Sequence, residues 1–286
     1  MRTVAKLLPA VFLSFLLFQG NSPVFPEGER GVLILAHGGS PEWNKQVEEA
    51  VRKAGIRVPL EIVFGMGMMP QETAALQKAL DKLQAAGVTN IRAVPLLVSS
   101  YSSVYRQYEY LLGLRPTQSW PDHHPVSPAV LKPGVRAEIS PALDDSPLVA
   151  EILLRRVKQL SRDPRGEAVL IVAHGPETDQ DNSALLREME SLSGLIRKEG
   201  NIPAIELATL RDDAPPEVRK EATRLFRAQV ERLSSSYRVI VVPLLISRGG
   251  IEHKINERLA GLRYVFSGEG LLPSPEISRW LAEQAS

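Results

Sequence analysis

The stretch Gly31-Val-Leu-Ile-Leu-Ala-His37-Gly38 decides the fold, because it returns as Ala168-Val-Leu-Ile-Val-Ala-His174-Gly175 in the second half of the chain. In each copy an apolar run without polar alternation ends in His-Gly. Such a run is typical of a strand that is buried on both faces, as in a parallel sheet. A helical pattern follows each copy. The sequence therefore predicts two related β-α units.

Three further landmarks recur in the same order in both halves. They are a strand leading to a proline (61–70 and 206–215), the run Pro-Leu-Leu-(Val or Ile)-Ser (95–99 and 243–247), and a Ser-Pro pair before an amphipathic helix (146–147 and 274–275). Four matched landmarks in one order indicate an internal duplication.

Each half accordingly reads β-α-β-α-β-loop-β-α. This order predicts an α/β fold in which each half is a parallel sheet with helices on both faces. We place the N-terminal lobe at residues 28–163 and the C-terminal lobe at 164–286, facing each other across a cleft. Residues 114–135 are rich in proline, have little periodicity and predict an irregular insertion in the first half.

Composition excludes several classes of function. The 286 residues carry a formal net charge of +1, so no overall basic surface points to nucleic acid. The chain has no cysteine, which excludes disulfides, thiolate metal sites and thiol catalysis. Nucleotide binding and serine hydrolysis lack their motifs.

Residues 1–25 read as a secretory signal peptide. Arg2 and Lys6 form a short basic start, and residues 7–18 are a mostly apolar run that is shorter than a bilayer-spanning helix needs. This pattern predicts export to the periplasm or the extracellular space, without stable membrane insertion after cleavage. A clean small-x-small cleavage site is missing, so an uncleaved anchor is the alternative.

His37 and His174 end their strands at the edge where ligands bind in open parallel sheets. The glycine after each histidine lets the backbone turn sharply. A histidine that only hydrogen-bonds a neighbouring loop is the plain alternative. The equivalence of the two positions favours a functional role.

A second informative segment is Arg248-Gly249-Gly250-Ile-Glu252-His253, a turn that opens a helix. The corresponding segment of the first half, residues 100–105, has neither Glu nor His. The second half can therefore place His174, Glu252 and His253 on one rim, and imidazole with carboxylate suits divalent first-row metals. The alternative for Glu252 and His253 is a solvated first helical turn.

These motifs resemble those of the CbiX-type sirohydrochlorin chelatases, relatives of anaerobic cobaltochelatase and ferrochelatase. The resemblance covers nearly everything after the leader. It implies two flavodoxin-like lobes with a tetrapyrrole in the cleft, and a metal, Co²⁺, Fe²⁺ or Ni²⁺, that is substrate. No organic cofactor is implied, and a homo-oligomer is compatible with the pattern.

The resemblance also implies roles for individual residues. His174 matches the first-strand histidine that binds the incoming metal, and His253 or Glu252 takes the place of the second ligand; the residues do not decide between them. His37 matches the first-strand histidine of the N-terminal half, where the loop partner is missing. Arg248, Gly249 and Gly250 would line the substrate-binding loop.

Several arginines and methionines have weaker functional interpretations. Arg106 and Arg211 lie with Arg248 on the predicted rim, where they would hold substrate carboxylates or be solvated surface arginines. Met66, Met68 and Met69 would fill the core or form an apolar wall, with a copper site as the weaker alternative. A lyase-type metal chelatase is thus the leading hypothesis, and a non-catalytic exported carrier of a tetrapyrrole or metal is the alternative.

Overall fold

The computed structural model describes residues 29–120 and 125–286. The predicted signal peptide, residues 1–25, lies outside these ranges. In the first half the elements are β1 (Glu29–Ala36), α1 (Pro41–Ala54), β2 (Leu60–Phe64), α2 (Pro70–Ala85), β3 (Val88–Leu96), α3 (Ser103–Leu111), β4 (Arg136–Ile139) and α4 (Pro147–Leu160). In the second half they are β5 (Glu167–Ala173), α5 (Asp179–Gly200), β6 (Ala204–Thr209), α6 (Pro216–Ser234), β7 (Arg238–Leu244), α7 (Ile251–Arg258), β8 (Val265–Phe266) and α8 (Pro275–Gln284).

The two halves form two four-stranded parallel sheets with the same strand order. The orders are β2-β1-β3-β4 and β6-β5-β7-β8, so the strand that ends in His-Gly is central in each sheet. β1 and β5 are buried between helices on both faces, as their unbroken apolar runs require. The predicted duplicated α/β fold is confirmed.

The prediction of a plain loop after the third strand was wrong in the first half. Residues 103–111 form α3, whose amino end is capped by Ser102, since the Ser102 hydroxyl accepts a hydrogen bond from Tyr105 N–H at 3.1 Å. Tyr108 is buried in the core and donates its hydroxyl to Gly65 O at 2.6 Å. Three tyrosines and few aliphatic residues obscured this helix in the sequence.

The last helix of each half packs across onto the other half. α4 lies against α5 and β7, whereas α8 lies against α1. Two arginines donate hydrogen bonds to the last carbonyl groups of these helices. Arg238 of β7 donates to Leu160 O of α4 at 2.9 Å, and Arg92 of β3 donates to Gln284 O of α8 at 3.0 Å. The boundary predicted at residues 163–164 lies at a 3-10 turn, Pro164–Gly166. The two sheets lie on opposite sides of this boundary in the sequence, but helices from both halves pack together.

One apolar core therefore runs from one sheet to the other through α1, α4, α5 and α8. Polar contacts join the halves at its margin. Arg106 of α3 forms two hydrogen bonds with Asp181 of α5, at 3.0 and 2.7 Å, and Ser247 Oγ donates to Gln46 Oε1 of α1 at 2.8 Å. Within the described ranges, no helix has the length and apolarity needed to span a membrane.

Candidate functional site

His174 follows the last residue of β5 and His37 follows the last residue of β1. In both, ring Nδ1 contacts the carbonyl oxygen of the next residue, at 3.0 Å in His174 and 2.8 Å in His37. A carbonyl oxygen only accepts, so this contact assigns the proton to Nδ1. In the neutral form of the ring, Nε2 then carries a lone pair that can bind a cation or accept a proton.

The glycine after His174 is required by close packing. Gly175 has φ +78°, and a Cβ there would lie 2.7 Å from the Cβ of Thr209 at the end of β6. Gly38 has φ +81° and a similar approach to Phe64. These positions turn the chain at the sheet edge and leave each imidazole on the rim.

The groups that face His174 come from the loop after β6, a segment that the sequence had not singled out as a source of ligands. Asp213 Oδ2 lies 3.6 Å from His174 Nε2, and Asp212 Oδ2 lies 4.0 Å from it. The His174 side chain is 32% exposed, Asp213 is 66% exposed and Asp212 is 6% exposed. Two carboxylate oxygens thus lie near His174 Nε2, an exposed one from Asp213 and a buried one from Asp212. Such a set of acceptors attracts a cation.

Arg211 holds the two loops together. Its N–H donates to His174 O at 2.7 Å, and its guanidinium donates to Pro176 O and Glu177 O, both at 2.7 Å. Arg211 is buried and has φ +57°, an uncommon conformation for a residue with a side chain. The turn directs Asp212 and Asp213 toward the imidazole. The Arg211 guanidinium is buried and bonded to carbonyl groups, so it is not exposed on the rim to hold a substrate carboxylate.

Two cations of α7 neutralise Asp212. Arg258 donates to Asp212 Oδ1 and, at 2.7 Å, to Leu210 O. Lys254 Nζ lies 3.2 Å from Asp212 Oδ2, within ion-pair distance but without hydrogen-bond geometry, since this buried oxygen accepts no hydrogen bond. Because Asp212 is buried and paired, it orients the site electrostatically, whereas the exposed Asp213 is free to approach a metal ion.

Glu252 is buried and stabilises its own turn. Its carboxylate accepts hydrogen bonds from Gly249 N–H at 3.0 Å and from Gly250 N–H at 2.8 Å. Glu72 does the same at the start of α2, accepting from Met68 and Met69 N–H at 2.9 and 3.2 Å. Both glutamates therefore satisfy amide groups that precede a helix.

His253 and Arg248 are exposed on either side of this turn. The turn itself lies against the first half, since a Cβ on Gly249 would be 3.4 Å from Trp43 of α1. The carboxylates within 4.0 Å of His174 Nε2 in the described residues are those of Asp212 and Asp213. The assignment of His253 as second ligand remains a prediction.

The other residues that were predicted for the rim have different surroundings in the structure. Arg106 is paired with Asp181 between the halves, which leaves it unsuited to holding a substrate carboxylate. His37 is exposed and lies in the first lobe. Of the methionines, Met68 and Met69 flank the turn held by Glu72.

In the part of the chain that the structure describes, no three His, Cys, Asp or Glu side chains form a ready-made metal-binding group. The arrangement around His174 is accordingly an open one: an imidazole, one exposed carboxylate and one neutralised carboxylate. Tight structural metal sites close all four positions, whereas sites that pass a ligand on keep positions open. Sequence analysis missed Asp212 and Asp213, although two consecutive acids after a buried strand were a usable signal.

Comparison with known proteins shows a partial match to one family in sequence. Residues 31–160 match the family model CbiX. A sirohydrochlorin cobaltochelatase of Methanosarcina barkeri is 27% identical over 84 residues, which are 29% of this chain and 65% of that protein, so the match spans slightly less than two thirds of the relative.

Two solved structures share the fold over nearly their whole length. SirB from Bacillus subtilis with Fe³⁺ has a TM-score of 0.65 at 17% identity, covering 90% of this chain and 94% of SirB. CbiX, the terminal enzyme for biosynthesis of siroheme in denitrifying bacteria, has a TM-score of 0.55 at 17% identity, covering 89% and 97%. Residues 31–160 are thus similar in sequence to the CbiX family, and the described chain shares the fold of these two solved structures.

Proposed function

We propose that this relative of the CbiX-type chelatases inserts a divalent metal ion, Co²⁺ or Fe²⁺, into a sirohydrochlorin-type tetrapyrrole, with His174 presenting the metal. The observation that carries the proposal is the convergence of His174 Nε2 with two carboxylates, 3.6 and 4.0 Å away, at the carboxyl edge of the second sheet. The names of the curated relative and of the CbiX structure, both of enzymes, favour insertion over carriage.

The chemistry needs a metal to leave its protein ligands and two pyrrole N–H protons to leave the ring. Neutral His174 binds the ion through Nε2, and the exposed Asp213 contributes a second donor and part of the charge. Asp212 is paired with Arg258 and Lys254 and does not bind the ion, so the protein supplies only part of the metal's coordination sphere. Because the protein's coordination of the ion is incomplete, the ion can pass to the four ring nitrogens.

Proton removal falls to the same groups. When the metal has entered the ring, His174 Nε2 is free again and accepts one proton as a general base. Asp213 is exposed and passes a proton to solvent. Arg248 is exposed on the loop after β7, and its proposed role is to pair with a carboxylate at the edge of the macrocycle.

The test is an anaerobic assay of Co²⁺ or Fe²⁺ insertion into sirohydrochlorin, followed by visible absorption. We expect the wild type to insert metal, His174→Ala to lose about a hundredfold or more in rate, and the matched variant His37→Ala to lose less than about tenfold. Pigment binding without insertion in the wild type would point to a carrier. Full activity of His174→Ala would contradict the proposal.

Export is a separate proposal, supported by the basic start and apolar run of residues 1–25. It predicts that the full chain expressed in a bacterium is recovered in the periplasmic fraction with a shortened amino terminus. A variant with Arg2 and Lys6 both replaced by Glu should stay in the cytoplasm at full length. Recovery of the unprocessed wild type in the cytoplasm would contradict export.

A further inference from the structure

A cavity of about 620 Å³ lies on the outer side of the second lobe, between α5, the edge strand β6 and α6. Its walls are mostly apolar, formed by Leu186, Leu207, Val218, Ala222, Leu225 and Phe226. Its lining does not include His174, Asp212 or Asp213. A volume of this size is typical of small-molecule sites. The cavity is therefore distinct from the proposed metal site.

Three observations define what the cavity can accept. The first is Asn182, which lines it and whose Oδ1 atom is buried without a hydrogen-bond partner. A buried acceptor without a partner is unfavourable, and a ligand that donates an N–H or O–H would satisfy it. Leu225 nearby is 49% exposed, an unusual solvent contact for a large apolar side chain at a cavity wall.

The second observation is the charge of the lining. Glu217 and Glu221 lie on the α6 side and Asp179 on the α5 side, with Arg211 as the cation of the lining. Arg211 is neutralised by Asp179 at 3.0 Å and by two carbonyl groups. The acids in the first turns of α5 and α6 offset the positive ends of these helices. Glu221 is paired with Arg224 through two hydrogen bonds, at 2.8 and 2.6 Å, which leaves Glu217 as the acid of the lining with no ion-pair partner among the described residues. The charge of Glu217 favours a cation and disfavours a polycarboxylate such as sirohydrochlorin.

The third observation concerns the free edge of β6. Gln229 Nε2 donates to Leu207 O at 2.9 Å, so this outward carbonyl already has its partner. Leu207 O is therefore not available to pair with an added peptide strand. A compact molecule that fills the apolar space fits these walls better than an extended peptide.

We infer that this cavity binds a small organic cation with an apolar body and an N–H donor, which reaches Asn182 while its charge faces Glu217. The inference is independent of the chelatase proposal, because it uses neither the histidines nor the cleft.

The test is a titration of the full-length protein with 2-naphthylmethylamine, which is an ammonium ion at neutral pH, compared with 2-naphthoate. We expect saturable binding of the amine and binding of the carboxylate that is weaker by about tenfold or more. Ala222→Phe fills the cavity and should weaken amine binding by about tenfold, whereas Ala228→Phe, at an exposed position of the same helix, should leave it unchanged.

A second variant guards against misfolding. Glu217 is exposed, so Glu217→Gln leaves the core intact; it should weaken binding of the amine but not of the neutral 2-naphthylmethanol. Absence of saturable amine binding, equal binding of the carboxylate, or unchanged binding in Ala222→Phe would each overturn the inference.

Discussion

Asp212 and Asp213 are neighbours in sequence, yet their surroundings assign them different tasks. Asp212 is buried and bonded to Arg258, while Asp213 is 66% exposed and faces His174 Nε2. A buried carboxylate that loses its charge leaves a buried cation unpaired, which is costly. An exposed carboxylate has no such structural role.

Substitution by asparagine should separate these tasks. Asp212→Asn should lower the free energy of unfolding by about 2 kcal/mol, because Arg258 keeps a hydrogen bond but loses a charge partner. Asp213→Asn should leave stability unchanged and weaken Co²⁺ binding by about tenfold. Chemical denaturation and metal titration measure the two effects. A destabilised Asp213→Asn variant with normal Co²⁺ affinity would contradict the assignment.

The turn before α7 depends on Glu252. Its carboxylate accepts hydrogen bonds from Gly249 and Gly250 N–H, so the loop after β7 is fixed from its own helix. A metal ligand would instead present free oxygens to the rim. Glu72 accepts hydrogen bonds from the turn before α2 in the same way, in a segment without a histidine, so a glutamate can hold such a turn without a metal-binding partner.

Glu252→Gln should therefore destabilise the protein by about 1 kcal/mol, because an amide is a weaker acceptor for two backbone N–H groups. The matched control Glu257→Gln, exposed on the same helix, should have no effect on thermal unfolding. If Glu252→Gln keeps full stability but loses Co²⁺ affinity, the glutamate is a ligand and the capping role is wrong.

At the level of elements, the sequence predicted the strands and helices near the His-Gly motifs well, because these strands are buried on both faces and their apolar runs are unbroken. It did not predict α3, whose buried face consists of Gln107, Tyr108 and Leu111. It also could not predict that Asp212 and Asp213 face His174, since that depends on the left-handed turn at Arg211 and on cations from α7.

At the level of the whole molecule, the halves are joined by helices that pack across onto the other half and by one carboxyl contact. Glu188 of α5 reaches the Ser99 and Asp144 side chains of the first half, and its Oε2 atom is buried without a hydrogen-bond partner. Burial, together with the negative charges of Asp144 and Asp145, raises the pKa of Glu188 from 4.5 to about 7. The folded protein therefore retains a proton that the unfolded chain releases.

This shift fixes the direction of a pH effect. Below pH 4.5 Glu188 is protonated in both states; as the pH rises through about 7, only the folded state bears the cost of ionisation, so stability falls. After allowance for partial exposure, we expect a loss of about 1–2 kcal/mol in the free energy of unfolding.

Denaturation at pH 5 and pH 8 measures the effect. Glu188→Gln should lose this part of the pH dependence and be more stable than the wild type at pH 8. Glu190→Gln, exposed on the same helix, should keep the wild-type profile. Equal slopes in the wild type and Glu188→Gln would show that the contact between the halves does not titrate.

The central claim is that metal is presented by the second lobe, although the family model matches residues 31–160, which contain His37. The most direct measurement is anomalous diffraction from crystals soaked anaerobically in Co²⁺. The account predicts a peak about 2.1 Å from His174 Nε2 with Asp213 beside it. A peak on His37, with none near His174, would contradict it.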